Sequence, residues 1–369
     1  MVEVAARALS VRYRVAEFSD FSQVAALEAR NGLATKTQTE WVHLWQSNPA
    51  YAKTKSWAIG WVCENEQSEI VGSLGNVPLI YELNGREILT ATSRALVADH
   101  AYRGYMFPII RRFIRQPGAE LIVDATSNSN STPLHKACRF LPVPAGNWRK
   151  STFWITNHKG FLVSSLKKKH LPSSIRYLIS PYSHVRELFF RKPSSGSHEL
   201  QVCKGFDERF EEFWIRLKQA HPQQLLANRS QKTLAWHFHY SLAQDETWIV
   251  AANDGASLAA YAVFQRQDNP EVDLKRVRLV DYQDLDGSCR FLESMLHWGL
   301  EQCSLREIHM LEAFGFAEKK QRVIDKFVPY TRELPSWLFY YKTINPTLAP
   351  ALTQPDVWDP CHYDGDASL

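Results

Sequence analysis

The stretch ALVADHAYRGYMFPIIRRF, residues 95–113, decides the fold that we expect for this chain. It begins as an apolar, strand-like run and passes through a short loop that holds Arg103 and Gly104. The residues that follow have apolar side chains at helical spacing and carry several arginines. The stretch therefore predicts a strand, a loop and a helix, with an Arg-Gly pair at their junction.

The composition is that of a globular protein with a large core. The chain has 369 residues, of which 45% are hydrophobic and 12% are aromatic. This length exceeds the usual span of one domain, so two domains are expected. The formal net charge of +4 is too small to indicate nucleic acid by itself, and we expect no DNA partner.

The cysteines and the first residues indicate a cytoplasmic protein. Six cysteines lie far apart without paired short spacings, which favours reduced thiols over disulfides or a zinc site, and no metal is expected. The opening residues MVEVAARALSVRYRV are interrupted by arginines and predict neither a signal peptide nor a membrane span.

The first half predicts helices followed by an antiparallel meander. Asn84-Gly85 separates two runs rich in β-branched residues and predicts a tight hairpin. A helix is expected from about Phe107 to Gln116. The other expected elements are helices in 17–32, 37–49 and 130–140, and strands in 56–64, 69–83, 86–97, 119–125 and 150–156.

The second half repeats this order loosely, which indicates two copies of one unit. Its expected elements are helices in 206–220 and 289–303 and strands in 246–254, 257–267, 275–283 and 306–316. A segment of different composition separates the two halves. We therefore expect a first domain at 1–157, a basic linker at 158–200, a second domain at 201–345 and an acidic tail at 346–369.

The order strand, YRG loop, helix and strand, followed by LHKACRF, resembles the GNAT (GCN5-related N-acetyltransferase) superfamily, and the repeat resembles its tandem two-domain members. The resemblance covers most of the chain in element order, but its specific residues lie within about 95–140. It implies an α/β (α+β) fold of two tandem units, each a mixed, mostly antiparallel sheet flanked by helices. It also implies acetyl-CoA or another acyl-CoA as cosubstrate. The residues it assigns to that cosubstrate are Leu96, Val97, Arg103, Gly104, Tyr105, Met106, Arg111 and Asn130.

The sequence departs from the family pattern at Met106 and Pro108, where members usually have small residues. Proline has no N–H to donate, and the Met106 side chain stands where the phosphate should approach. A donor bound to an acyl carrier protein is therefore an alternative to free coenzyme A. In the second half, the corresponding loop carries Asp281, Asp284 and Asp286, which would repel a pyrophosphate, so we expect no coenzyme A there.

The resemblance also suggests catalytic residues. His135 occupies the place where family members often have a tyrosine acid, and Asp124 ends a strand near the expected cleft. Each also has an ordinary structural interpretation, as a polar helix residue and as a loop cap. Glu82 and Glu87, which flank the hairpin, are weaker candidates for the base.

The expected function is transfer of an acetyl or longer acyl group from coenzyme A to an amine of a small molecule or amino sugar.

Residues 159–192 carry eight Lys or Arg against one Glu, interleaved with apolar residues. This stretch fits an anionic membrane surface, an acyl carrier protein or a solvated connection between domains. An aminoacyl-tRNA-dependent transferase and a non-catalytic scaffold remain open alternatives. The sequence alone does not identify the acceptor.

Overall fold

The computed structural model describes residues 10–127, 131–169, 199–327, 329–334 and 338–369. Asn130 and most of the basic stretch, residues 170–198, lie outside these ranges. The strands are β1 Arg12–Val15, β2 Gly60–Glu64, β3 Ile70–Leu83, β4 Arg86–Ala98, β5 Leu121–Ser127, β6 Leu141–Pro142, β7 Lys150–Ile155, β8 Leu200–Cys203, β9 Leu226–Ala227, β10 Thr247–Asp254, β11 Ser257–Arg266, β12 Arg276–Asp284, β13 Met310–Phe314, β14 Tyr330–Glu333 and β15 Leu338–Thr343. The α-helices are α1 Phe21–Arg30, α2 Gln38–Gln46, α3 Pro49–Ala52, α4 Phe107–Ile114, α5 Thr132–Ala137, α6 His158–Lys168, α7 Glu208–Ala220, α8 Gln231–His237, α9 His239–Ala243, α10 Leu292–Leu305, α11 Glu318–Asp325 and α12 Ala349–Leu352.

The first sheet has the strand order β1-β2-β3-β4-β5-β15-β6, and β9 pairs with β3. Its pairs are antiparallel except β4 with β5, which run parallel. The hairpin between β3 and β4 turns at Asn84 and Gly85, whose φ angles of 53° and 73° are both left-handed. This geometry explains the Asn-Gly pair, because such two-residue hairpin turns need positive φ at both central positions.

The second sheet has the order β14-β7-β13-β12-β11-β10-β8, and again only one pair, β12 with β13, is parallel. The hairpin between β10 and β11 turns at Asp254-Gly255, where Gly255 has φ of 63°. Helices α7 and α10 pack on β11 and bury apolar side chains such as Phe213 and Leu296. Each half of the chain thus forms a mixed, mostly antiparallel sheet flanked by helices, as the sequence predicts.

The two sheets exchange a strand. β7 comes from the first half but lies between β13 and β14 of the second sheet, and β15 comes from the second half but lies between β5 and β6 of the first. The domain limits at 157 and 345 remain a prediction, and the hydrogen bonding of the sheets does not follow them. Each sheet is therefore completed by a strand from the other half.

The segments expected as linker and tail contain ordered structure. Helix α6 occupies the start of the expected linker, and Lys167 on it pairs with Asp273 at 2.6 Å. The sequence predicts an acidic tail at residues 346–369, and two of its aromatic residues, Trp358 and Tyr363, are each only 4% exposed. In the described part of the chain, no helix is both long and apolar enough to cross a membrane.

A buried ion network anchors the C-terminal segment. The Arg229 guanidinium is 1% exposed and donates to both carboxylate oxygens of Asp281, at 2.9 and 3.1 Å. It also lies 3.5 Å from the carboxylate of Asp364. Paired charges of this kind can be buried because each satisfies the other, so the network fixes residues near 364 against β12.

Candidate functional site

The parallel strands β4 and β5 separate after a short ladder. Their paired residues are 90–92 on β4 and 121–123 on β5, although β4 continues to Ala98 and β5 to Ser127. Ala95 has a left-handed φ of 52°, and the ladder between β3 and β4 shifts register at the same level. Such an irregularity bends a strand, so β4 turns away from β5 and a cleft opens between them.

The loop and helix that follow β4 offer fewer backbone donors than the sequence predicts. The N–H groups of Ile109 and Ile110 both donate to the Met106 carbonyl, at 3.1 and 3.2 Å. The Met106 N–H donates to the Arg103 carbonyl, and Pro108 has no N–H. The start of α4 therefore satisfies most of its own donors, and an anion here would depend on side chains.

The Met106 side chain does not stand where a phosphate would approach the loop, contrary to the expectation from sequence. Its side chain is buried, and its Sδ packs so close to Gly72 that a Cβ atom at Gly72 would lie 2.5 Å away. The methionine therefore belongs to the core beneath the loop. Gly104 lies on the outer surface of the loop, and its Cβ position has no neighbour within 4 Å.

The other residues assigned to the cosubstrate lie at the cleft or near it, except Arg111, which lines a separate surface groove with Val15, Trp61 and Arg115. Val97 is buried and Leu96 is half-buried in the part of β4 beyond the ladder. Arg103 and Arg111 are exposed, and neither forms a hydrogen bond or ion pair with the residues that the structure describes. The Tyr105 carbonyl accepts a hydrogen bond from the Tyr13 hydroxyl at 2.7 Å. The geometry thus makes Arg103 and Arg111 available to an anionic ligand.

Asp124 and His135, expected as separate candidates, form one buried pair. His135 Nε2 donates to the Asp124 carboxylate at 2.7 Å, and Nδ1 lies 2.8 Å from the Ser131 carbonyl. Burial by itself would lower the pKa of His135, but the hydrogen bond and charge of Asp124 outweigh it and raise the pKa. Because both ring nitrogens face acceptors, His135 is an imidazolium paired with a carboxylate.

The exchanged strand β15 positions this pair. The Tyr340 ring of β15 stacks on the His135 ring, with centroids 4.8 Å apart and planes 9° from parallel. Phe140 contacts the same ring edge-on at 5.1 Å. Both N–H groups of His135 are used within the protein, so the assignment of His135 as the acid stays a prediction. The geometry favours a fixed charge partner of Asp124.

Asp366 is a candidate that the sequence did not indicate. Its Oδ2 accepts a hydrogen bond from the Thr126 hydroxyl on β5 at 2.7 Å, and its buried Oδ1 has no partner among the described residues. Burial of the carboxylate and the nearby charge of Asp124 raise the pKa of Asp366 to about 7. A carboxylate with this pKa, next to the cleft, is suited to accept a proton near neutral pH.

The two glutamates near the hairpin are paired elsewhere. Glu82 pairs with Lys218 at 2.8 Å, and Glu87 pairs with Lys53 at 2.7 Å. Both lie at the far end of the β3–β4 ladder from the cleft. The structure therefore does not bring them to Asp124 and Asp366.

The second sheet has an equivalent cleft, which the chain itself fills. The ladder between β12 and β13 covers only 276–278 and 310–312. Beyond it, the Tyr363 N–H donates to the Val280 carbonyl at 3.0 Å, and the His362 ring contacts Phe314 at 4.7 Å. This insertion supports the interpretation that the second unit does not bind coenzyme A.

The aspartates of the second loop have structural roles. Asp281 pairs with Arg229, and the carboxylate of Asp284 accepts a hydrogen bond from the Cys289 N–H at 2.7 Å. Asp286 accepts one from the Ser288 N–H at 2.9 Å. These contacts form the turn and its cap, which is the ordinary interpretation of such residues.

Gly365 allows the C-terminal segment to reach β5. It has φ of 85°, and a Cβ atom there would lie 2.8 Å from Cβ of Ala125. We expect Gly365→Ala to lower the free energy of unfolding by about 1–3 kcal/mol, because it overpacks this contact and strains the backbone. Denaturant unfolding measures the change.

Gly255→Ala is the matched control. Its φ of 63° is also left-handed, but its Cβ position has no neighbour within 4 Å. Equal losses in the two variants would show that backbone conformation alone matters at Gly365 and that the contact with Ala125 is not tight.

Comparisons with protein-family profiles and with curated proteins give no match for this sequence. Solved structures do resemble it. Saccharomyces cerevisiae N-myristoyltransferase with bound myristoyl-CoA matches with a TM-score of 0.59 and 12% identity, covering 92% of this chain and 80% of that one. A GCN5-related N-acetyltransferase from Kribbella flavida matches with a TM-score of 0.55 and 12% identity, over 93% and 72% of the two chains. One from Anabaena variabilis matches with a TM-score of 0.53 and 10% identity, over 91% and 73%. At such identities the likeness establishes the fold, and the chain therefore has the GNAT fold, built as two tandem units that exchange a strand.

Proposed function

We propose that the chain is an N-acyltransferase that moves an acyl group from coenzyme A to an amine in the first cleft. The observation that carries this proposal is the separation of β4 and β5, with the unpaired Arg103 in the loop after β4 and the Asp366 carboxylate against Thr126 of β5. Yeast N-myristoyltransferase, a structure of similar fold, has been solved with bound myristoyl-CoA. That likeness supports an acyl thioester as the ligand.

The cleft suits an extended thioester. Beyond Thr92, one edge of β4 no longer pairs with β5, so its N–H and C=O groups can bond to the amides of a ligand lying between the strands. Arg103 at the outer end would pair with phosphate oxygens. The acyl carbonyl would then lie toward the inner end, near Thr126 and Asp366.

The chemistry needs a proton acceptor and a proton donor. The neutral amine attacks the thioester carbonyl, a C–N bond forms, and the C–S bond breaks as the thiolate leaves. Asp366, as a carboxylate, takes the proton that the amine nitrogen loses, and this proton then passes to the thiolate, so that Asp366 is again a carboxylate and the product is a thiol. Burial of Asp366 and the nearby carboxylate of Asp124 keep the Asp366 carboxylate basic near neutral pH.

Arg103 provides the test of the donor site. We expect Arg103→Ala to weaken acetyl-CoA binding by about 1.5–3 kcal/mol, the range for a hydrogen bond to a charged group, because its side chain is exposed and unpaired in the described structure. Calorimetry measures the affinity. Arg216→Ala is the control, since Arg216 is an exposed residue of α7 in the other half.

Unchanged affinity for acetyl-CoA in the Arg103 variant would contradict the donor site. The N–H groups at the start of α4 already donate to nearby carbonyls, so few remain to bind a pyrophosphate. This favours a second candidate donor, an acyl group on a carrier protein. The same assay separates the two. Thiol release from an acylated carrier protein but not from acetyl-CoA would make the carrier protein the donor.

A further inference from the structure

A polar cavity of about 330 Å³ lies between the two halves, beside the segment that carries Asp366. Its walls come from α2 and the loop before it, from α8 and α9, from the end of β11 and from residues 367–369. A volume of this size accommodates a small molecule. Residues 367–369, which line it, follow Asp366 directly in the chain, and Asp366 itself is not among the lining residues.

One wall of the cavity is rigid. His43 on α2 and Trp236 on α8 exchange hydrogen bonds, from His43 Nε2 to the Trp236 carbonyl and from Trp236 Nε1 to the His43 carbonyl, both at 3.0 Å. Burial lowers the pKa of His43, so its ring is neutral and Nδ1 is an acceptor. These bonds join the first half to the second and fix the shape of the wall.

Lys36 is an unpaired cation in this cavity. It is half-buried and makes no hydrogen bond or ion pair with the residues that the structure describes. The nearby carboxylates are engaged, because Glu28 pairs with Arg94 at 2.9 Å and Glu40 accepts hydrogen bonds from the backbone and hydroxyl of Thr37. Burial and the charge of Arg94 lower the pKa of Lys36 to about 8, which is the expected effect of leaving an ammonium without a counter-ion.

Glu246 provides a charge of the opposite sign on the same cavity. It is half-buried, and its carboxylate has no partner among the described residues. Burial raises the pKa of Glu246, and the charge of Arg266, which pairs with Asp268 at 2.7 Å, only partly offsets this effect. Among the described side chains that line the cavity, Lys36 is thus an ammonium and Glu246 a carboxylate without a hydrogen-bond or ion-pair partner.

We propose that this cavity binds the acceptor and that the acceptor is an amine bearing a carboxylate, a ligand of the amino-acid class, whose carboxylate pairs with Lys36. Glu246 and Nδ1 of His43 are the complementary acceptors for its ammonium on entry, before the amine loses a proton and reaches the thioester. One unpaired lysine balances one negative charge, whereas Glu40 and Glu246 would repel a dianionic phosphate. This inference rests on the proposed acyltransferase function.

The test compares amino acids with the amines that lack their carboxylate. With acetyl-CoA as donor, we expect kcat/KM to be about 10- to 100-fold higher for the amino acid of each pair, in keeping with a charge-assisted contact. Lys36→Met should remove this preference, so that both members of a pair react at similar rates. Lys204→Met, at an exposed lysine in the second half, is the control for net charge.

Binding is measured separately by calorimetry with the same pairs and no donor, so that a failed donor site does not hide the result. Equal affinity or equal rates for the two members of every pair, in the wild-type protein, would overturn the acceptor class and leave the donor proposal intact. Wild-type protein that binds acetyl-CoA but neither binds nor acylates any amino acid would do the same. Wild-type protein that does not bind acetyl-CoA, but still binds each amino acid more tightly than the matching amine in calorimetry, would instead overturn the proposed function.

Discussion

Asp366→Asn is expected to lower kcat/KM by about 10²- to 10⁴-fold, the usual contribution of a placed general base. Asparagine has nearly the same shape and can still accept the hydrogen bond from Thr126, but it cannot take a proton. Because burial raises the pKa of Asp366 to about 7, the wild-type kcat/KM should rise with pH through that value. The variant should lack this rise.

The same substitution should stabilise the protein at alkaline pH. The folded pKa of Asp366, about 7, lies above the ordinary aspartate value of 3.8, so folding favours the protonated form. The stability contributed by this proton is present at low pH and is lost as the pH rises from about 4 to 7. Asparagine never bears the buried charge, so Tm above pH 7 should be higher in the variant than in the wild type.

A variant that is less active and more stable would distinguish a catalytic carboxylate from a structural one. Asp356→Asn, at an exposed aspartate of the same segment, is the control and should change neither quantity. Wild-type kcat/KM together with an unchanged Tm in Asp366→Asn would remove Asp366 from the mechanism.

Local sequence signals predicted the elements of the fold but not the strand exchange. Asn84-Gly85 marks a hairpin because its turn type demands those residues. Nothing comparable marks β7 or β15, since an apolar strand pairs with any sheet edge of suitable register. Which sheet receives residues 150–155 depends on contacts with β13 and β14, which are far away in the sequence.

The sequence predicts only part of the candidate site, again because local signals do not show which distant segments come together. His135 and Asp124 lie 11 positions apart, on a short helix and the strand before it, so local order brings them near each other. Asp366 lies 240 positions from Thr126, in a segment whose acidic residues predict a tail and do not single out this aspartate. Only the close approach of Gly365 to Ala125 shows that this segment enters the cleft.

The Asp124–His135 pair should contribute strongly to stability. His135→Ala is expected to lower the free energy of unfolding at pH 6 by about 3–5 kcal/mol, because it leaves a buried carboxylate without its counter-ion. The loss should be smaller in a background of Asp124→Asn, which removes that charge, and a double-mutant cycle measures the coupling. His100→Ala, at an exposed histidine, should change stability by less than about 0.5 kcal/mol.

The pH dependence of this loss has a definite sign. The pKa of His135 is raised in the folded state, so its stabilising effect is fully present below the unfolded value of 6.5 and is lost as the pH rises through the folded pKa. The difference in unfolding free energy between wild type and His135→Ala should therefore shrink at alkaline pH. A difference that stays constant from pH 5 to pH 10 would show that packing against Tyr340, and not the ion pair, dominates.

Turnover of His135→Gln decides between the two roles of this histidine. If His135 supplied the proton to the leaving thiolate, its loss would lower kcat by about 10²- to 10⁴-fold. The geometry favours a smaller effect, because one ring nitrogen lies 2.7 Å from the Asp124 carboxylate and the other 2.8 Å from the Ser131 carbonyl, which leaves no N–H directed at the cleft. Glutamine has an N–H group to offer Asp124 but not the charge, so we expect kcat to fall less than about 10-fold at saturating substrate. A larger fall, partly restored in His135→Tyr, would return the acid role to this position and would require the imidazole to turn away from Asp124 during the reaction.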